Sequence, residues 1–488
     1  MTTPVDPAGS APIARPKLIV AVACLCGIVV ALTQTLIVPL IPILPRILDA
    51  SATDASWAIT ATLLTAAVAT PISGRLGDMF GKQRMLVLSM LALVVGSVVC
   101  AVAGSLLVMV VGRGIQGLAM GAIALGISIL RDELPPDRVG AGVARMSATM
   151  GVGGAIGLPV AAFLADQTDW HVLFWATAAL ALGCAVAVAV LVPESPIHAA
   201  ARFDFVGAVG LSVALSMLLL AITKGGDWGW GDGLTLGLVG GSLVVFLLWG
   251  AWELRRTAPL VDLRVSAGPQ VLFTNIASVA VGFAMYGMSL IPIQIMMAPT
   301  QVDYGLGLSM AEAGLLMAPS GLLMFVFSSL GARISAARGP RTSLATGIVV
   351  VGLGYVVALF LRDTTAELVL ATAFIGAGIG IAYAAMPALI MGAVPITETA
   401  AANGLNSLMR SVGTSLSSAV ISVVLAQHVV RLGPAVLPSY DGFTIALLVS
   451  IGASLLALLF TLLIPGSGRA DDAVPAGGAA RPERVPAS

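Results

Sequence analysis

Gly74-Arg75-Leu76-Gly77-Asp78-Met79-Phe80-Gly81-Lys82-Gln83-Arg84 is a short basic turn, punctuated by glycines, between two long apolar runs. A shift of 258 residues sets Ala332-Arg333-Ile334-Ser335-Ala336-Ala337-Arg338-Gly339 against its first part, again between apolar runs and again ending in glycine. At nearly the same shift Pro135 falls on Pro395 and Gly153 on Gly413. Self-similarity over so long a period, with the turn chemistry kept, reads as two related halves. Ala336 stands where the first copy has Asp78, so whatever the aspartate does is done on one side only.

Composition places these halves in a bilayer. Of 488 residues, 58% are hydrophobic and 10% charged, and the mean hydropathy is +1.03. Soluble domains carry about 25% charge, so a soluble globular protein is excluded. The apolar excess also excludes disorder. Lys+Arg 24 balances Asp+Glu 24, which gives no electrostatic reason to expect nucleic acid. Cys24, Cys26, Cys100 and Cys184 lie in apolar runs without zinc-ligand spacing. His171, His198 and His428 are scattered at span ends, with no nucleophile–base pairing and no phosphate-binding glycine loop. The expectation is a protein that is not an enzyme and uses no metal or cofactor.

A hydrocarbon core of ~30 Å takes about 20 helical residues, and only helices or closed barrels satisfy the backbone there. Fourteen apolar runs qualify, with limits near 18–44, 55–73, 85–103, 106–129, 140–164, 171–192, 204–223, 234–253, 271–297, 311–331, 342–361, 367–392, 400–427 and 442–464. If both termini are cytoplasmic, seventeen Lys/Arg fall on that side and four opposite, with Arg113, Arg145 and Arg410 inside spans. This inside-positive bias predicts a multi-pass cell-membrane protein with both termini cytoplasmic. The fold class expected is all-α integral membrane, with 14 transmembrane helices in two pseudo-symmetric six-helix bundles plus two inserted helices. Residues 1–17 form a cytoplasmic segment, 18–192 the first bundle, 193–270 a linker with the extra helices, 271–464 the second bundle, and 465–488 a disordered Pro/Gly/Ala-rich tail. Paired halves are the build of secondary transporters with a site at their interface.

The turn pattern Gly74-x-Leu76-x-Asp78-x-x-Gly81-Lys82-x-Arg84, Arg113-x-x-Gln116-Gly117 in span 4, and the glycine-rich run Gly151–Pro159 in span 5 together resemble the major facilitator superfamily, in its fourteen-span drug–proton antiporter branch of bacterial multidrug efflux type. The likeness covers essentially residues 18–464. It implies that Gly74, Asp78, Gly81, Lys82 and Arg84 form a conformational latch. Asp78 has a physical reason to serve there, since a carboxylate at a helix end can meet a helix N-terminus or an arginine. The likeness also implies a proton-relay or polar-path role for Arg113 and Gln116, with a structural ion pair holding helices together as the rival reading of Arg113, and an antiporter-motif helix built on Gly153, Gly157 and Pro159. That last motif departs from the family's pattern: the proline sits one place late, and Ala161-Ala162 stand where two glycines are usual. Arg410 shares a polar face of span 13 with Asn403 and Asn406, which either lines the polar path in the second half or hydrogen-bonds a neighbouring span.

Span 1 departs from the branch, with Thr33 where an aspartate is common. Every carboxylate falls in a loop, a tail or within about two turns of a span end. Proton coupling is therefore implied by the resemblance, and a proton-independent facilitator or lipid/metabolite exporter of the same fold is the alternative. Thr33, Gln34, Asn275, Tyr286, Gln294 and Asn406 are the substrate-lining candidates. A pocket with few fixed polar groups and many of the 19 methionines suits hydrophobic or amphipathic compounds, neutral or weakly anionic since no central carboxylate faces a cation. The partners expected are such a small substrate, a proton as coupling ion and the lipid bilayer, with no nucleic acid; the chain is expected to be a monomer.

Overall fold

The computed structural model describes residues 16–37, 40, 44–167, 169–195, 203–432 and 435–465. The expected N-terminal segment, up to residue 15, and the expected disordered tail, from 466, lie outside the described residues. Fourteen long helices follow in order among them. They are α1 Pro16–Leu36, α2 Trp57–Phe80, α3 Lys82–Ala101, α4 Leu106–Glu133, α5 Pro136–Gln167, α6 His171–Leu191, α7 Phe205–Trp228 and α8 Gly233–Glu253. After these come α9 Pro269–Met297, α10 Met310–Arg338, α11 Pro340–Phe360, α12 Thr365–Met391, α13 Thr399–Gln427 and α14 Tyr440–Leu463. Thirteen are long and apolar enough to cross a membrane. The remaining one, α5, has 32 residues and at 1.5 Å per residue reaches ~48 Å, beyond the ~30 Å required.

Three local departures from the sequence expectation have physical causes. The first span ends at Leu36 rather than near 44, because Pro39, Pro42 and Pro45 lack the amide protons that a continuing helix needs. Inside α4 a 3-10 turn occupies Leu118–Gly121, beside the small residues that bring this helix close to α2. Between α13 and α14 the chain forms an antiparallel hairpin, β1 Val429–Leu432 with β2 Ala435–Pro438. Tyr304 donates to the Pro438 carbonyl and stacks edge-on against Phe443, holding the loop after α9 on that hairpin.

Packing repeats between the halves. The pairs α1/α5, α2/α4, α3/α4 and α3/α6 are echoed by α9/α13, α10/α12, α11/α12 and α11/α14. The bundles meet along two seams, α2/α13 and α5/α10, which the repeat interchanges. Two aligned glycines show why: a Cβ on Gly153 would lie 3.0 Å from the Leu32 nitrogen of α1, and one on Gly413 would lie 2.8 Å from the Val279 carbonyl carbon of α9. Helices surrounded by lipid gain little from burying apolar surface, so close backbone approach at small residues holds them together. The perimeter carries large exposed apolar side chains, Leu107 at 73%, Val190 at 73% and Phe360 at 74% exposure. Such a band is stable only against lipid.

The inserted pair is asymmetric. Helix α7 lays Leu211, Leu215 and Leu219 over Ala67 of α2 and Leu408 of α13, covering that seam. At its far end the buried Lys224 ammonium donates to Ser56, lies 3.1 Å from Asp227 Oδ2, and faces the Trp57 ring at 5.1 Å. Helix α7 is thus pinned to the start of α2.

These crossings make a test. Gly413→Leu should overpack the α9/α13 contact by roughly 1–3 kcal/mol or more and lower the melting temperature in detergent. Gly240→Leu on α8, where a Cβ meets nothing within 4 Å, should leave it unchanged. Equal behaviour of the two variants would contradict the packing account.

Candidate functional site: the latch and the central cavity

The stretch expected as a turn is helical up to Phe80, since α2 runs on past the apolar part of the span, and only Gly81 separates α2 from α3. Asp78 lies in the last turn of α2, and its carboxylate oxygens accept the backbone N–H groups of Ala400 at 3.2 Å and Ala401 at 2.9 Å. Both amides belong to the first turn of α13, whose donors have no partner within the helix. The helix dipole adds to the attraction, up to ~2 kcal/mol in partly buried geometry. Gly74 makes the approach possible: a Cβ there would stand 2.5 Å from the Ala400 carbonyl oxygen.

Neighbouring groups complete the grip. Lys82 Nζ lies 2.5 Å from Asp132 Oδ2 and 3.6 Å from Asp78 Oδ1, fully buried between them. Arg131 donates to Thr399 Oγ1 at 2.7 Å and to the Met391 carbonyl at 3.1 Å, joining α4 to the facing ends of α12 and α13. Arg75 stands 3.9 Å from Glu398 Oε1. The sequence reading missed Arg131 and the part of Asp132, because both follow span 4 with no motif around them.

Arg84 needs a correction. It is exposed and its Nε lies 3.5 Å from Glu194 Oε2, just past the end of α6. Glu194 also accepts the N–H groups of Gln83 and Arg84, capping α3. Gly81 turns the chain at φ 110°, a backbone conformation that favours glycine. Arg84 therefore braces the turn internally and does not reach α13. In the second copy, the hydrogen bonds of residues 332–341 stay within the second half among the described residues, with Arg341 donating to the Leu462 carbonyl. The latch is on one seam.

Away from the latch, a cavity of about 270 Å³ lies between α1, α5, α9 and α10. Five methionines line it, Met150, Met285, Met288, Met317 and Met324, with Thr35, Tyr286, Ser289, Gln294 and Ser320 as its polar side chains. Of the expected lining residues, Tyr286 and Gln294 reach it. Gln34 turns to the sulfur of Met120, and Thr33 is buried with its hydroxyl on the Val29 carbonyl. Asn275 and Asn406 are bonded to each other between α9 and α13 at 2.9 Å. On α5, Gly154 borders the cavity, whereas Gly153 and Gly157 face α1. Pro159 lies within α5 one turn beyond the cavity residue Ala155.

Arg113 does not face this cavity. Its guanidinium is buried, donating to the Ala58 carbonyl at 3.1 Å, the Thr33 carbonyl at 3.0 Å and Gln116 Oε1 at 2.8 Å. Gln116 passes the chain to Ser97 at 2.8 Å. One charge thus ties α4 to α1, α2 and, through Gln116, α3. Such a group inside a membrane is costly unless solvated by the protein. Arg113→Met should leave Gln116 short of a partner, at ~1–3 kcal/mol, and lower the melting temperature without any ligand present. Arg84→Ala should shift it little, since exposed pairs are worth about 1 kcal/mol or less. A stable Arg113→Met variant would show that this charge does not hold the helices.

The sequence profile of the Major Facilitator Superfamily matches residues 23–418 and 277–486. An uncharacterized MFS-type transporter of Mycobacterium tuberculosis is 27% identical over 423 residues, covering 85% of this chain and 60% of the relative; the match thus spans somewhat less than two thirds of that protein's length. The tetracenomycin C resistance and export protein of Streptomyces glaucescens is 27% identical over 407 residues, 82% of this chain and 74% of that one. The crystal structure of the human organic anion transporter MFSD10 superposes with a TM-score of 0.65 at 14% identity, covering 91% of this chain and 99% of that one. At that identity the match speaks to the fold alone. Repeated bundles, a one-sided contact of Asp78 with α13 and a profile match spanning residues 23–486 converge: the chain belongs to the major facilitator superfamily.

Proposed function

We propose that this protein is a secondary active exporter of hydrophobic or amphipathic organic compounds, working by alternating access, with the latch end cytoplasmic. In this reading the bundles of residues 18–192 and 271–464 rock about the central cavity. The observation that carries it is the methionine-rich cavity at the bundle interface, paired with a latch whose donors and acceptors sit on opposite bundles. Such a latch favours one state and must break in the other, which is what coupling substrate binding to a switch requires. The likeness to a tetracenomycin C export protein supports the direction of transport and the kind of cargo.

A proton is the coupling ion in the first reading, entering through the carboxylates Asp78, Asp132 and Glu133 near the latch. A second reading, a proton-independent facilitator or lipid/metabolite exporter, draws on one observation. Among the described residues, the buried carboxylates Asp78, Asp132, Glu133 and Glu253 lie in the last turn of their helices, and none lies mid-membrane. Reconstituted vesicles separate the two. Under an imposed pH gradient, uphill movement of a hydrophobic dye should stop when the gradient is dissipated. Uphill movement that continues unchanged removes proton coupling, and no movement under any gradient removes the exporter.

A further inference from the structure

Helix α13 carries a polar stripe behind the cavity wall, and at its centre is Arg410, 8% exposed. Its Nη1 donates to Asn406 Oδ1 at 2.6 Å and its Nη2 to Ser407 Oγ at 3.1 Å, while Nε has no partner. The guanidinium faces the Tyr383 ring at 5.1 Å. No carboxylate pairs with it among the described residues, and none pairs with Arg113. The two arginines are held differently. Arg113 is fixed by carbonyls of two other helices, whereas both hydrogen bonds of Arg410 go to side chains one turn earlier on its own helix. Asn406 is oriented for this by Asn275 and Ser278 of α9, which accept from its amide at 2.9 and 2.8 Å.

Two side chains in series, Tyr383 and Met285, separate this charge from the cavity. Tyr383 donates to the sulfur of Met285 at 3.0 Å, and Met285 lines the cavity. Ser418, further along α13, donates at 3.0 Å to Tyr286, which also lines it. Asn406 and Arg410 turn toward α9 and α12 within the second bundle, away from the Gly404 and Leu408 face that meets α2, and the first turn of the same helix donates to Asp78. A desolvated cation without an anion attracts negative charge and repels positive charge.

We propose that Arg410 is the counter-charge of the transport site, so that the compound carried bears one acidic group, a carboxylate, phenolate or sulfonate, on a hydrophobic aromatic frame. This deepens the exporter reading and rests on it for the word transport, but binding alone tests it. The full-length protein in lipid nanodiscs would be titrated with pyrenebutyrate, its methyl ester and pyrenebutylammonium, with empty nanodiscs subtracted. The wild type should bind the carboxylate at least tenfold more tightly than the ester or the ammonium. Arg410→Gln should abolish the preference, and Arg410→Lys should restore part of it. Equal wild-type affinities, a preference for the ammonium, no binding of any probe, or a preference that survives Arg410→Gln would each overturn the proposal. The wild-type comparison decides the matter even if a variant does not fold. Vesicles that export a neutral dye while the anion preference is absent would sink this proposal and leave the exporter reading standing; the reverse result would do the opposite.

Discussion

The structure turns on the meeting of one carboxylate with one helix end. Asp78 closes the first turn of α13 across the boundary between the bundles, and everything else at that end is arranged to let it do so. Gly74 removes the side chain that would block the approach. Lys82, buried beside Asp78 and Asp132, offsets the cost of burying negative charge. The interaction consists of two buried hydrogen bonds to helix-terminal amides that have no partner within α13, and the proposed switch requires these bonds to form in one state and break in the other.

Polar groups in the interior divide into two kinds. Arg113, Gln116 and Ser97 form a closed chain whose members are satisfied by neighbouring helices, and this chain fixes the first bundle. Asn275, Asn406 and Arg410 form a chain that ends in an unpartnered nitrogen and in a tyrosine touching the cavity wall. The first kind behaves as a strut. The second is the arrangement on which the counter-charge proposal rests.

Much of this was legible in the sequence, for identifiable reasons. Apolar length and the Lys/Arg asymmetry reveal spans because the bilayer tolerates few alternatives. The aligned pair Gly153 and Gly413 could be found because close helix crossings exclude other residues. Arg84 misled because the motif groups it with Asp78 by spacing, whereas a change of helix between them sends the two side chains to different neighbours. Arg131 was invisible because its partners, Thr399 and the Met391 carbonyl, are about 260 residues away. The hairpin at 429–438 was missed because it is short and lies between two long apolar runs. The substrate-lining residues were only partly readable: polarity within a span marks residues that need partners, and both a cavity and a neighbouring helix supply them.

The central claim is that the bundles separate at the latch. Spin labels at Arg138 and Arg338, exposed on the two bundles at that end, would report the separation by pulsed electron–electron distance measurement. The account predicts two distance populations. Asp78→Asn removes roughly 1–2 kcal/mol of closure, a factor of about 5–30 in the equilibrium, so weight should move to the longer distance. One distance, unmoved by that substitution, would contradict it.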